Sequence, residues 1–374
     1  MRYRKYGTDG PDLSVLGFGV MRLPARRSGD LTSVNFTRSV AIMRRAMETG
    51  VNFFDSHHFY HNGFSEVAIG RALKGWKGRQ IYIQTKTPFY QRKPQKYFKG
   101  LIEEALSKMQ VNCIDYLLFH SMTRDSFDKR GRQFIRLTDW AIKRRYIRFR
   151  GFSSHDIPRN VKTIINTREF SAMLVSYNWL NPEMADVLGH GAEKGLGVSV
   201  MGPIGGGGLA QVTPQIIRLL PRAKSPSETA LRYVLSTPGV CTALSGMNAI
   251  EQVDQNVRVA SRRTYMTLLQ RREMTRRVAA IRRKGKLLCT YCGYCMPCPH
   301  GVDIPGNLRL LSQVKLFGLT QLPKAVFDWL RRGAKTDKSA LACIRCKGCL
   351  AKCPNGVDVI GRLAETADLL AGPI

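Results

Sequence analysis

Two short runs of cysteine near the C-terminal end are the most chemically distinctive part of this 374-residue sequence. The first run reads Cys-x₂-Cys-x₂-Cys-x₂-Cys-Pro and the second reads Cys-x₂-Cys-x₂-Cys-x₃-Cys-Pro. Thiolates two residues apart on a tight loop can surround one iron–sulfur cube, while the following Cys-Pro ligates a second cube. The runs are Cys289, Cys292, Cys295 and Cys298, and then Cys343, Cys346, Cys349 and Cys353.

The spacing predicts two [4Fe–4S] clusters, with ligands shared between the runs as in two-cluster ferredoxins. The first run departs from that pattern, because two residues rather than three precede its Cys-Pro. Zinc is the alternative metal, since Cys-x₂-Cys pairs suit tetrahedral sites, but a zinc ribbon needs two pairs rather than two runs of four. The predicted ligand sets are Cys289, Cys292, Cys295 and Cys353, and then Cys343, Cys346, Cys349 and Cys298.

Four ionisable residues form a second candidate site, because they fall at or just after the ends of short apolar runs. Asp55, Lys86 and His120 each end one run, and Tyr60 follows Asp55 by five residues. An ordinary tyrosine has a pKa of about 10, and a neighbouring ammonium group favours the phenolate. We therefore expect Lys86 to lower the pKa of Tyr60.

The same four residues predict a site for proton transfer to a carbonyl oxygen. We expect Asp55 to hold Lys86 charged and oriented, and His120 to aim the substrate carbonyl. Tyr60 would then protonate the oxygen as hydride arrives at the carbon. The same loop carries three more histidines, which we interpret as a polar rim: His57, His58 and His61.

A repeating pattern of elements predicts how these residues are positioned. Residues 1–260 alternate short apolar runs with longer amphipathic stretches, eight times in succession. This pattern favours a (β/α)₈ TIM barrel, with an open doubly wound sheet as the alternative. Barrel enzymes carry their chemistry at the C-terminal ends of the strands, where the four residues fall. Asp9-Gly10, between two apolar stretches, predicts a hairpin that floors the barrel.

The remainder of the chain predicts two further segments. Residues 261–288 are rich in arginine and predict a basic linker helix. Residues 289–374 predict a mainly α-helical, ferredoxin-like iron–sulfur domain. The spacer between its cysteine runs, residues 307–333, is apolar and basic, and we expect helices on either side of Pro323.

The charge of the chain bears on its partners and its location. The formal net charge is +32, from 59 basic and 27 acidic residues. Such a surface attracts acidic partners, which favours a ferredoxin or flavodoxin as redox partner. Contact with an anionic membrane through residues 308–329 is a competing hypothesis, and nucleic acid is disfavoured because no nucleic-acid motif is present. Without a signal peptide or an apolar span, we expect a cytoplasmic protein, with peripheral attachment at the inner membrane surface as the alternative.

The sequence resembles the aldo-keto reductase family, in particular the subgroup with a C-terminal ferredoxin-like extension. The matching motifs lie in residues 16–24, 52–55 with Tyr60, 65–73, 151–153, 246–257 and 295–305. The resemblance implies a (β/α)₈ barrel and NADPH-dependent carbonyl reduction. It also implies that Tyr60 is the acid, that Lys86 and Asp55 tune it, and that His120 orients the substrate.

The resemblance implies a nicotinamide cofactor, with NADP(H) favoured over NAD(H), although several expected contacts differ. Leu174 occupies the position of a glutamine, Met201 that of a stacking aromatic, and Gly246 and Gln252 those of basic residues. The four glycines of residues 205–208 suit a pyrophosphate cradle or, alternatively, a flexible rim loop. The implied contacts are Gly19, Met21, Ser153, Ser154, Met201, Gly202, Gly205, Gly206, Gly246, Gln252 and Asn256.

The two halves of the chain predict different kinds of redox chemistry. Iron–sulfur clusters carry single electrons, whereas a nicotinamide carries a hydride. Three roles are open to the clusters: to relay electrons between a ferredoxin-type partner and the barrel, to sense the redox state, or to stabilise the fold of the C-terminal segment. We favour the relay. We therefore predict an iron–sulfur oxidoreductase acting on a carbonyl or quinone-like substrate. The alternative is a non-catalytic or electron-transfer subunit that docks a ferredoxin, a membrane or a redox complex.

Overall fold

The chain folds into two compact units in the computed structural model. The first unit comprises Met1–Pro203 and Ala230–Leu268, and the second comprises Ile204–Thr229 and Leu269–Ile374. None of the helices in the described part of the chain is both long and apolar enough to cross a membrane. The structure describes residues 1–26, 33–89, 91, 93–180, 182–220, 225–284, 289, 291, 293–332, 336–353 and 356–372.

The first unit contains a closed barrel of eight parallel strands, which confirms the predicted (β/α)₈ fold. The strands follow one another around the barrel in chain order, and the last strand pairs with the first. This order places the C-terminal ends of all eight strands at one rim. The strands are β3 (Leu16–Gly19), β4 (Phe53–Asp55), β5 (Tyr82–Thr87), β6 (Ile114–Phe119), β7 (Ile147–Ser154), β8 (Ala172–Ser176), β9 (Gly197–Met201) and β10 (Thr242–Ser245).

Amphipathic helices alternate with these strands along the chain. In the first of them the buried residues include Ile42, Met43, Ala46 and Met47, the three-to-four spacing that places apolar side chains on one face. The helices are α1 (Phe36–Glu48), α2 (Phe64–Leu73), α3 (Gln95–Met109), α4 (Arg124–Lys143), α5 (Pro158–Asn166), α6 (Ala185–Glu193), α8 (Pro226–Leu235) and α9 (Ile250–Ala260).

The predicted hairpin is confirmed and lies at the end of the barrel opposite the candidate site. It pairs β1 (Tyr3–Lys5) with β2 (Asp12–Ser14) in antiparallel register. The ring of Tyr6 is buried beside Phe53 and Tyr116 inside the barrel. Its hydroxyl donates to Ser199 Oγ at 3.1 Å. The hairpin therefore closes the floor of the barrel, as the sequence predicts.

The second unit contains the same helix-capping motif twice, a repeat that was not predicted from the sequence. Two of its helices, α11 (Ile304–Phe317) and α13 (Val359–Leu370), each follow a Gly-Val-Asp motif. The aspartate caps each helix by accepting a hydrogen bond, 3.0 Å long, from a glycine amide three residues later. A Cβ atom on either glycine would lie 2.2 Å from the capping carboxylate, so the cap requires glycine in both copies. The capping pairs are Asp303 with Gly306 and Asp358 with Gly361.

The remaining helices of the second unit correct one prediction. The break in the cysteine spacer is at Gly318, where the backbone is left-handed with φ 65°, and not at Pro323. Pro323 instead lies in the first turn of α12 (Gln321–Arg332), where a missing amide hydrogen costs little. The predicted basic linker contains a helix, α10 (Leu268–Lys284), and a short helix, α7 (Pro214–Leu219), precedes it.

The apolar side chains of this spacer form the core of the second unit. Leu308, Leu310, Phe327 and Leu330 are buried together with residues of α13. Of the apolar residues that suggested membrane contact, Trp329 is exposed while these four are not. Their burial explains the apolar composition of residues 308–329 by packing within the protein.

Candidate active site and metal centre

Three adjacent strands position the four predicted catalytic residues at one rim of the barrel. Asp55 is the last residue of β4, Lys86 lies near the end of β5, and His120 directly follows β6. Tyr60 begins a short 3₁₀ segment, Tyr60–Gly63, on the loop after β4. Because these strands are neighbours in the barrel, the four side chains lie at the same opening.

The Lys86 ammonium group is buried and held by oxygen atoms. Its Nζ lies 2.7 Å from each carboxylate oxygen of Asp55, and it also donates to the carbonyl oxygen of Ser56. Burial acts to lower the pKa of Lys86, but Asp55 and Tyr60 outweigh burial and raise that pKa above the ordinary lysine value. The lysine therefore remains a cation although only 2% of its surface is exposed.

A chain of hydrogen bonds supports Asp55 from inside the barrel. Gln84 Nε2 donates to Asp55 Oδ1 at 2.7 Å. The amide oxygen of Gln84 in turn lies 3.5 Å from the hydroxyl of Tyr6 at the barrel floor. This polar column extends through the barrel interior and fixes the carboxylate against which Lys86 packs.

Tyr60 contacts Lys86, but its pKa does not shift in the predicted direction. Lys86 Nζ lies 5.1 Å from the centroid of the Tyr60 ring and interacts with the hydroxyl. Burial raises the pKa of Tyr60 and outweighs Lys86, which acts to lower it. Lys86 does act to lower the pKa of Tyr60, as predicted. The prediction that this pKa falls below the ordinary tyrosine value is wrong, because burial disfavours the phenolate. Tyr60 is therefore a protonated phenol at neutral pH, the form that a proton donor needs.

Two neutral imidazoles lie side by side next to this phenol. The rings of His57 and His120 are 4.1 Å apart at their centroids, and the His57 ring is 5.1 Å from that of Tyr60. Burial, followed by Lys86, lowers the pKa of His120 to about 3. Burial, followed by His120 and Lys86, also lowers the pKa of His57. Both rings are therefore uncharged at neutral pH and act through hydrogen bonds.

His57 is a site residue that the sequence analysis assigned to the polar rim. The amide of Phe59 donates to His57 Nδ1 at 3.2 Å, so the proton of this neutral ring is on Nε2. Nε2 is buried and has no hydrogen-bond partner among the described residues. A buried donor without a partner is costly, which makes this group a candidate to bind a substrate oxygen.

The other two histidines of this loop have different partners. His61 lies between the carbonyl oxygens of Met21 and Ser33, 3.1 Å from each. His58 lies 3.8 Å from the buried carboxylate of Glu66 and 3.7 Å from Glu104. These two histidines tie loops and helices together, which leaves His57 as the member of the group that joins the site.

We expect substitution of His57 by phenylalanine to lower kcat/KM for carbonyl reduction about tenfold. The new ring preserves the packing on His120 but removes the Nε2 donor, and one hydrogen bond of about 1.4 kcal/mol corresponds to a tenfold change. Steady-state kinetics on purified protein measure the effect. His58→Phe, on the same loop, is the matched control with less than a twofold change; equal effects of the two substitutions would contradict a role for His57 in the site.

The residues predicted to contact a nicotinamide cofactor fall mostly at the same rim. Gly19, Met201 and Gly246 lie at the ends of β3, β9 and β10, which are adjacent in the barrel. The Ser153 hydroxyl accepts from the amide of Ser121 at 2.9 Å. Of the other residues predicted to contact the cofactor, Met21 and Gly202 follow β3 and β9. The side chains of the last three have partners within the protein: Ser154 donates to Met122 O, Gln252 accepts from Asn248 N, and Asn256 donates to Ser245 Oγ.

Gly205 and Gly206 belong to the second unit, in the 3₁₀ segment Gly205–Ala210. Leu322 of α12 packs against this segment. A Cβ atom on Gly208 would approach Leu322 to 2.7 Å, so the glycine is needed for close packing. The glycine run therefore has a structural partner in its own unit, and its predicted role in binding pyrophosphate stays a prediction.

Five of the predicted cluster ligands line one cavity of about 160 Å³ in the second unit. Burial raises the pKa of the Cys349 thiol, and the thiols of Cys343, Cys346 and Cys298 raise that pKa further. These thiols would ionise readily only if a bound metal balanced their charge, and several convergent sulfur donors of this kind fit an iron–sulfur cluster. Cys298, Cys343, Cys346 and Cys349 form one of the two predicted ligand sets, and the fifth residue, Cys295, belongs to the other set.

The other predicted set is described only in part. Cys289, Cys295 and Cys353 pack against the core of the second unit, and Cys292 lies outside the described residues. In the described part of the chain, no three histidine, cysteine, aspartate or glutamate side chains are placed to hold a single metal ion.

Residues next to the second cysteine have a left-handed backbone in both runs. Left-handed residues flank the second cysteine of each run: Tyr291 (φ 57°) and Gly293 (φ 78°) in the first, Arg345 (φ 58°) and Lys347 (φ 63°) in the second. Left-handed residues in turns are common in the anion-binding concavities of iron–sulfur sites. The shared conformation therefore supports the same ligand chemistry in both runs.

Comparison with known proteins agrees with both parts of this description. The aldo/keto reductase family model matches residues 15–267, and a 4Fe-4S dicluster domain model matches residues 288–358. The first match covers more than half of the chain. This protein therefore belongs to the aldo/keto reductase family, and it carries a C-terminal 4Fe-4S domain.

Individual relatives support an oxidoreductase. An uncharacterized oxidoreductase of Bacillus subtilis, YqkF, is 23% identical over 297 residues, which is 70% of this chain and 92% of the relative. The aldo-keto reductase AKR11C1 of Bacillus halodurans superposes with a TM-score of 0.63 at 25% identity, covering 74% of this chain and 96% of its own. A Klebsiella pneumoniae aldo/keto reductase solved with NADP and acetate shares the fold, with a TM-score of 0.60 at 19% identity, covering 74% of this chain and 96% of its own.

Proposed function

We propose that this protein reduces the carbonyl group of an aldehyde, ketone or quinone-like substrate. The observation that carries the proposal is the buried Asp55–Lys86 ion pair beside a protonated Tyr60. Tyr60 donates its proton to the carbonyl oxygen, and the cation of Lys86 stabilises the phenolate that remains. His120, kept neutral by burial, donates a hydrogen bond that orients the substrate oxygen.

We further propose that the rim of the barrel holds NADP(H). The NADP complex of the Klebsiella pneumoniae reductase supports this choice by its shared fold. Two structural features fit it: Ser153 Oγ accepts locally and keeps its own proton to donate, and the side chain of Arg22 packs over Gly246. When bound, the nicotinamide would supply the hydride. Arg22 would provide the cation that is missing at Gly246 and Gln252.

Arg22→Glu tests this assignment. We expect the substitution to raise the KM for NADPH at least tenfold and the KM for NADH less than threefold, because charge-assisted hydrogen bonds to a 2′-phosphate contribute about 1.5–3 kcal/mol. Lys143→Glu, an exposed change of the same charge in α4, should alter neither value. Similar KM changes for the two cofactors would remove Arg22 from the 2′-phosphate site.

The C-terminal part would add a second redox function. We propose that it holds two [4Fe–4S] clusters, with the cysteine sets predicted from the sequence, and relays single electrons. The cavity lined by Cys298, Cys343, Cys346 and Cys349, together with Cys295, supports the first of these sites, and the left-handed residues on either side of Cys292 support the second.

One anaerobic preparation tests both halves of the proposal. Iron and sulfide analysis should give about eight of each per chain, which corresponds to two cubes. Oxidation of NADPH and NADH should then be followed with a panel of aldehydes, ketones and quinones. Zinc in place of iron would overturn the cluster assignment, and the lack of carbonyl-dependent cofactor oxidation across the panel would overturn the reductase.

A further inference from the structure

The two cysteine runs have left-handed residues at matching positions, but the side chains at these positions differ. The residues flanking the second cysteine are Tyr291 and Gly293 in the first run, and Arg345 and Lys347 in the second. Tyr291 is buried, and its ring packs under the Arg309 guanidinium at 4.8 Å. Arg345 and Lys347 are exposed to solvent. The residue before the second cysteine is therefore buried in the first run and exposed to solvent in the second.

The second run also leaves one cluster ligand open to solvent. Cys346 is exposed, whereas Cys298, Cys343 and Cys349 are partly covered. The edge of a cluster held by these four thiolates would therefore face outward at Cys346. Ile344, 63% exposed, lies beside it and provides an apolar contact next to the charged residues.

The charge around this edge has one sign. Lys347 and Lys352 line the cavity and are exposed, and Arg345 is exposed next to Cys346. No aspartate or glutamate of the described residues lines the cavity. A cationic ring around a small apolar centre is the complement of an acidic protein surface, and electrostatic steering raises association rates by 10–10³-fold.

We propose that this face, formed by Ile344, Arg345, Cys346, Lys347 and Lys352, is the docking surface for a small acidic one-electron carrier protein. Redox encounters of this kind use small interfaces, which this compact patch suits. The reduced carrier gives up one electron and is oxidised, and the cluster at Cys346 is reduced by the same electron, with no bond formed or broken. The proposal rests on the proposed cluster content and extends it by naming the partner and the point of contact.

Stopped-flow reduction of the anaerobic holoprotein by flavodoxin hydroquinone tests the proposal. We expect the second-order rate constant to fall as salt is added, and to fall at least tenfold in Arg345→Glu/Lys347→Glu. Arg331→Glu/Arg332→Glu, the same charge change on exposed residues of α12, should stay within twofold of the wild type. Reduction by the cationic methyl viologen radical should not slow in either variant, because the repulsion it meets is reduced.

The iron content of the same samples distinguishes a failure of the proposed clusters from a failure of the proposed docking surface. A wild-type protein without iron would overturn the clusters and the docking surface together, whereas loaded protein with equal rates in both double variants would overturn docking alone. Lys352→Glu changes a cavity residue that does not flank Cys346, and it should slow the reaction at least threefold even if the double variant fails to load iron. Unchanged flavodoxin rates, with loss of binding to phosphatidylglycerol vesicles in the double variant, would assign the face to a membrane and overturn the proposal.

Discussion

Substituting Tyr60 by phenylalanine should lower kcat/KM for carbonyl reduction about 10²–10⁴-fold, the range for losing a positioned proton donor. The ring and its packing over Lys86 are retained, so the change isolates the hydroxyl. The loss corresponds to about 3–5 kcal/mol of transition-state stabilisation. Steady-state kinetics with the best substrate of the carbonyl panel would measure it, together with cofactor binding, which should stay within twofold.

A matched control distinguishes this loss from a general effect of removing a hydroxyl. Tyr146→Phe makes the same change directly before β7, at the N-terminal end of that strand and so at the end of the barrel opposite the rim, and should leave kcat/KM within twofold of the wild type. A Tyr60→Phe protein that keeps one third or more of wild-type kcat/KM would contradict the proposed chemistry. Because burial raises the pKa of Tyr60, wild-type activity should persist through neutral pH and decline only in the alkaline range.

Replacing Lys86 by methionine should cost both activity and stability. The substitution leaves the carboxylate of Asp55 buried without its ammonium partner, and breaking a buried ion pair in this way costs about 3–5 kcal/mol. The pKa of Lys86 is raised in the folded protein, so the stabilisation is present below the ordinary lysine pKa and is lost only as the pH rises through the raised value. At pH 7 it is therefore fully expressed.

A double substitution separates the two effects of Lys86. In Lys86→Met/Asp55→Asn the buried charge is removed as well, so the thermal unfolding temperature should recover most of its loss. Activity should not recover, because the cation that stabilises the Tyr60 phenolate is still missing. Equal unfolding temperatures for the single and double variants would show that the ion pair does not account for the stability loss. Recovery of activity would contradict the role of the cation.

Strand periodicity was sufficient to predict the barrel and the place of its site. Asp55, Lys86 and His120 are near strand ends, and in a parallel barrel all such ends meet at one rim. His57 could not be assigned in this way. The orientation of the His57 ring depends on the turn that follows, in which the backbone of His61 is left-handed at φ 51°. The sequence of this loop does not predict such a turn.

Other features were missed for different physical reasons. The net pKa shift of Tyr60 depends on the balance between burial and Lys86, and burial is a property of the folded chain. The repeat in the second unit was readable, because Gly-Val-Asp follows both Cys-Pro steps at the same distance. The spacer break was assigned to Pro323 because proline disrupts helix interiors, but first-turn prolines do not, and Gly318 ends the helix instead.

Because Tyr6 lies beneath Gln84, whose side-chain amide donates to Asp55, the first residues of this sequence contribute to positioning the carboxylate of the proposed site. Deleting the first six residues, or fusing a rigid tag that displaces them, would take away the support beneath the carboxylate while leaving every rim residue in place. Truncated versions of this enzyme should therefore be screened for turnover as well as for expression and folding.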